Sequence, residues 1–174
     1  MPDDTRREQI LNALECTLST IKTGTSMDFC NCFAQPVYEL LDRCEVTTGW
    51  NYYDEAAAPT VNSVTFVEGL KSLNLGKTGT GGKDARYEKT ISPPVDATDL
   101  VGLMNVYVKD TTGLATSKCF TIKFGSDSSN YYEMTVNKGG VDTDVWLRYG
   151  REWDDMTQVG LPDITAISFI SFII

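Results

Sequence analysis

Histidine is absent from this chain of 174 residues, and its absence narrows the available chemistry more than any residue present. Without an imidazole there is no Ser-His-Asp or Cys-His nucleophilic machinery and no histidine-ligated metal. Catalysis would have to rest on paired carboxylates. Asp142 with Asp144 and Asp154 with Asp155 are close in sequence, but both pairs fall on polar turns between strand-like runs, where solvated carboxylates are ordinary. A glycosidase holds its two carboxyls about 5–9 Å apart across a cleft, and spacing along a chain does not supply the cleft. The chain is expected not to be an enzyme.

Sulfur is the second candidate. Cys16, Cys30, Cys32 and Cys44 are numerous enough for a tetrahedral zinc site. A zinc knuckle, however, normally places two residues between its cysteines, and Cys30 and Cys32 have only Asn31 between them. Cys119 lies far away in a strand-like run and makes the total an odd five, which argues against a secreted disulfide framework. Reduced thiols, packed as small apolar side chains, are the expectation. Gly76-Lys77-Thr78 lies in a loop rich in glycine and lysine, yet no helical pattern follows it to receive a phosphate. Residues 76–82 therefore read as a flexible hairpin loop.

Charge and hydropathy close further routes. Fifteen basic residues against twenty-four acidic ones give a net charge of −9 and a pI near 4.4, so the positive field that steers a protein to nucleic acid is missing. No run approaches the roughly 18 apolar residues of a membrane span. Met1-Pro2-Asp3-Asp4 lacks the basic and apolar regions of a signal peptide, so the chain is expected to be made in a cytoplasm and to reach any other location by another route.

The elements that would position these groups fall into two regions, 1–44 and 45–174. In the first, Thr5 and Glu8 have capping-box spacing, and Ile10, Leu11, Leu14, Leu18 and Ile21 place an apolar stripe on one face of a helix that Gly24 stops. A lone helix of about 17 residues is marginal in water, so its stripe needs a cover. Either the chain's own body or a neighbouring subunit would serve. After the cysteine-rich connector, Val37 to Cys44 fits a short helix opened by Pro36 or an extended arm.

The second region is a train of short alternating runs opening on Gly49-Trp50: Val61–Val67, Lys71–Leu75, Ala85–Ile91, a break at Pro93-Pro94, Leu103–Val108, Lys118–Phe124, Tyr131–Val136, Asp144–Tyr149 and Ile164–Ile174. Phe120, Ile122 and Phe124 share one face. The last run changes face midway, which implies a bulge or an end covered by another chain. Eight strands with polar turns predict a mainly β fold, a jelly-roll β-sandwich carrying an N-terminal amphipathic helix.

Thr48-Gly49-Trp50, Val67-Glu68-Gly69 with Lys71-Ser72-Leu73, and Gly160-Leu161-Pro162-Asp163-Ile164-Thr165-Ala166-Ile167 resemble the framework of carbohydrate-binding-module-like, galactose-binding-like jelly rolls. Such domains occur in polysaccharide-degrading enzymes and in structural proteins of tailed-phage virions. Arg7 to Leu14 is similar to the opening helix of small phage tail and head-tail completion proteins. The combination implies a structural protein of the virion, in a capsid, neck or tail, that forms homo-oligomers and meets other virion proteins. Ile10, Leu14, Leu18 and Ile21 of the arm, with Phe172 and Ile174 at the C-terminus, are then the interface candidates.

The resemblance also implies a structural calcium where first and last strands meet, with Glu45, Glu68 and Asp163 as its carboxylates; no other cofactor is expected. The alternative function is recognition of surface glycans. That needs exposed rings on which a sugar can stack, and Trp153, in the turn Arg151 to Asp155, with Tyr132 supplies them. Trp146, flanked by Val145 and Leu147, is expected to be partly core. An exposed turn tryptophan equally suits a protein interface, which is the preferred reading.

Overall fold

The computed structural model describes residues 40–67, 69–79 and 82–174. The expected helix with Ile10, Leu14, Leu18 and Ile21, the connector cysteines Cys16, Cys30 and Cys32, and Glu68 lie outside the described residues. Glu39–Ile174 form one compact unit, so the body begins ahead of residue 45. Side chains explain the difference. The Asp42 carboxylate pairs with Lys89, and Glu45 Oε1 accepts the Leu70 N–H at 2.8 Å.

The fold is mainly β, as the alternation predicts. Its strands are β1 (Trp50–Asp54), β2 (Thr60–Asn62), β3 (Ser72–Asn74), β4 (Ala85–Val95), β5 (Gly102–Tyr107), β6 (Phe120–Gly125), β7 (Tyr131–Val136), β8 (Trp146–Arg151), β9 (Thr157–Val159) and β10 (Ile167–Ile173). Six of them form one antiparallel sheet in the order β1-β4-β10-β6-β7-β9, while β2 pairs with β3 and β5 with β8. Strands β1 and β9 are additions to the expected set. Both are sheet edges, where pairing on one side only relaxes the demand for clean alternation.

Three local departures have local causes. The expected strand Val61–Val67 stops at Asn62, because the Asn62 side-chain oxygen accepts the backbone N–H of Val64 (2.8 Å) and Thr65 (3.0 Å) and so turns the chain out of the ladder. The prolines interrupt β4 without ending it: Thr90 pairs with Phe169 and Val95 with Ile167, and residues 91–94 bulge between those contacts, where a missing N–H breaks nothing. Ile164–Ala166 form a 3₁₀ turn capped by Asp163 instead of extending β10.

Register fixes the core. Tyr87, Phe172, Ile122 and Met134 lie in one row across β4, β10, β6 and β7, and all four are buried. Phe120 stacks on Phe172 with centroids 5.2 Å apart and meets the edge of Tyr149 at 5.1 Å. Since Tyr149 belongs to β8, this contact lays the β5–β8 pair against the large sheet, giving a sandwich-like arrangement. Gly102 marks how closely the layers approach, because a Cβ there would sit 3.0 Å from the Phe124 ring. The opposite face carries the row Glu88, Ser171, Lys123 and Glu133.

Candidate functional site

The aromatic and terminal residues singled out by sequence occupy the interior. Trp153 is only 8% exposed, contrary to its expected place on a surface turn. Its Nε1–H donates to the Ala97 carbonyl at 3.0 Å, and its ring packs between Phe124 (6.0 Å) and Tyr132 (5.3 Å). The 3₁₀ turn Trp153–Asp155 points the indole inward while Asp154 and Asp155 face solvent, a distinction that turn polarity alone conceals. Phe172 is likewise buried, and Ile174 packs half-buried against the core. The C-terminus is held by paired backbone bonds between Ile174 and Ala85, at 2.8 and 2.9 Å. These two interface candidates are thus covered by their own chain.

The expected calcium carboxylates that are described serve the backbone. Glu45 holds Leu70, and Asp163 accepts from both the Thr165 N–H (2.9 Å) and its hydroxyl (2.7 Å). Among the described residues, no three acidic or cysteine side chains gather as a metal-binding group. Cys44 and Cys119 are free thiols. Burial, followed by the neighbouring Asp42 carboxylate, pushes Cys44 up to about 12, and burial also raises Cys119. Both are protonated, packed sulfurs at neutral pH, as expected of apolar cysteines.

What the sequence reading missed is an exposed apolar run. Because Asn62 turns the chain, Val64 is 87% exposed and Leu70 is 75% exposed, with Phe66 and Val67 also open to solvent between them. The Glu45–Leu70 bond joins this run to Val46, itself exposed. The available signal was the Asn62-Ser63 turn dipeptide inside an otherwise strand-like pattern. Residues 76–78 of the loop after β3 are tied to residues 55–57. Glu55 O receives the Thr78 N–H at 2.9 Å and Ala57 N–H reaches Gly76 O at 2.8 Å, while Glu55 and Lys77 form an ion pair at 3.6 Å.

A cavity of about 520 Å³ opens beneath the β2–β3 pair, bounded by the inner face of the large sheet and by β5 and β8. Leu73, Leu75, Met104, Trp146, Phe172 and Trp50 are among its apolar lining residues, and Asn62, Lys77 and Asp110 among its polar ones. Tyr107 and Trp146 contact each other at 5.6 Å. The Trp50 indole is 6% exposed, and among the described residues its Nε1–H has no hydrogen-bond acceptor. Leaving a buried donor unpaired costs about 1–3 kcal/mol. The contrast with Trp153, whose N–H is satisfied by Ala97, makes Trp50 the exceptional indole of the pair.

No protein-family model matches the chain, and no curated protein matches it either.

Proposed function

We propose that this chain is a non-enzymatic structural protein of a tailed-phage virion: a jelly-roll β-sandwich body that meets its neighbours through its N-terminal arm and through the apolar face beside β2 and β3. The carrying observation is the run Val64, Phe66, Val67 and Leu70, exposed together on a short hairpin. Scattered surface apolar residues need no explanation, but a cluster of large ones marks a contact site. The negative charge of the chain suits protein partners better than nucleic acid. Head decoration, neck and tail positions all accommodate such a body.

Mass spectrometry of purified particles is the decisive measurement. The chain is expected in stoichiometric amount, and its absence from particles would reject the proposal. Truncation separates arm from body: removal of residues 1–24 is expected to leave a cooperatively unfolding body that no longer assembles.

Glycan recognition is the second reading, and it now rests on different rings. Tyr52 and Tyr53 on the edge strand β1 are exposed, with the Arg86 guanidinium 4.7 Å from the Tyr53 ring centre. Retention of the body on a glycan array, lost in Tyr53→Ala and kept in Trp153→Phe, would promote that reading.

A further inference from the structure

We propose that the second layer of the sandwich is one strand short, and that an extended segment of another protein, apolar at every second position, completes it between β3 and β5. The way each strand borders the cavity of about 520 Å³ carries the inference. A strand met face-on contributes every second residue to a surface, because successive side chains point to opposite sides. The large sheet does so: Phe172 and Ile174 line the space without Ile173, and Trp50 lines it without Asn51. Residues 72–77 and 104–110, by contrast, line it without a break, so β3 and β5 meet the space with their edges. A sheet for a floor and a strand edge for each wall is the setting of one more strand.

Both walls have backbone groups to offer. Strand β5 uses one edge on β8, from Gly102↔Arg151 to Tyr107↔Trp146, and β3 uses one on β2. Among the described residues, no backbone bond joins the other edge of either strand to another element. N–H and C=O groups left along such an edge are what an added strand pairs with. Alternation along the walls also accounts for their mixed chemistry. Leu73, Leu75, Met104, Val106 and Val108 pack against the core, and the polar Asn74, Asn105 and Lys109 stand between them in sequence. A strand laid between the walls repeats that order, its apolar side chains resting over Phe120 and Phe172, which stack with centroids 5.2 Å apart. An extended backbone is the one chemistry that serves both walls at once.

The probe is a nonapeptide with valine, phenylalanine and valine at alternate positions, threonines around them and a lysine at each end, added to the full chain. Calorimetry should show saturable binding, and amide hydrogen exchange should show new protection on the open edges of residues 72–75 and 104–107. A peptide of the same composition with its three apolar residues adjacent loses the match to the floor and should bind about tenfold more weakly. N-methylation of the phenylalanine amide removes one ladder donor and should also weaken binding about tenfold. Leu75→Lys sets a charge beside the apolar face and should abolish it. No particle enters these measurements, so their failure would leave the virion proposal standing. Absence of saturable binding, equal affinity for the rearranged or the N-methylated peptide, or protection elsewhere would each overturn the inference, and exchange in the unaltered chain decides it even if the variant fails to fold. Protection of the same amides that rises with protein concentration in the absence of peptide would overturn it too, by giving the place to a second copy.

Discussion

The centre of the large sheet and the hairpin that overhangs its β1 side treat apolar residues in opposite ways. In β6 and β10, Phe120, Ile122, Phe124, Ile170 and Phe172 are all buried and interlocked. Along residues 61–70, Val64, Phe66, Val67 and Leu70 stand in solvent, and a 520 Å³ space lies beneath the adjoining strands. The first region is packed as protein interiors are, so its residues serve stability. The second leaves apolar surface and volume uncovered, which is how surfaces that meet other molecules are built.

The widest test of this contrast is a truncation at the packed centre. Phe124→Ala removes a ring that touches Trp153 at 6.0 Å and approaches Gly102, and is expected to cost about 3–5 kcal/mol in urea unfolding. A cost near zero would mean that the two layers are not tightly joined. Trp153→Phe comes next, at about 1–2 kcal/mol, because it leaves the Ala97 carbonyl without its buried donor. An exposed ring would register no such loss.

On the hairpin the expected pattern reverses. Val64→Asp and Leu70→Asp should change unfolding free energy by no more than about 0.5 kcal/mol, while light scattering or particle incorporation reports weakened association. Strong destabilisation would show the run to be core. The smallest effect belongs to the turn between β6 and β7, where hydrogen bonds from Asn130 and Ser129 hold the Asp127 carboxyl below its ordinary value. A carboxyl depressed by folding contributes stability above its unfolded value and loses it as pH falls through the folded one. Melting temperatures measured from pH 5 to pH 2.5 should therefore fall less steeply in Asp127→Asn than in the parent, with the difference opening below about pH 4.

These contrasts also separate what could be read along the chain from what could not. Tyr131–Val136 is observed as expected, and the shared face of Phe120, Ile122 and Phe124 is the core face of β6, because period-two alternation is a local property of a half-buried strand. The irregularity anticipated in the last run falls on its partner instead: between Ile167 and Phe169 strand β10 advances two residues while β4 loops out residues 91–94. The inward turn of Trp153 was not legible, since its flanking Glu152, Asp154 and Asp155 advertise a surface turn, and the acceptor that holds it, Ala97, lies 56 residues away.

The sequence by itself determined the mainly β character, the exclusion of histidine chemistry, the acidic field and the positions of the central strands. Each follows from composition or from neighbours a few residues apart. Only the tertiary structure decided which apolar residues are shared with solvent. Strand β10 is buried along its length, held between β4 and β6, so Phe172 became core. The chain leaves the β2–β3 ladder after Asn62, whose side chain competes for two backbone N–H groups, so Val64 and Leu70 became surface. Burial is set by long-range pairing, and pairing partners are not encoded in the pattern of any one strand.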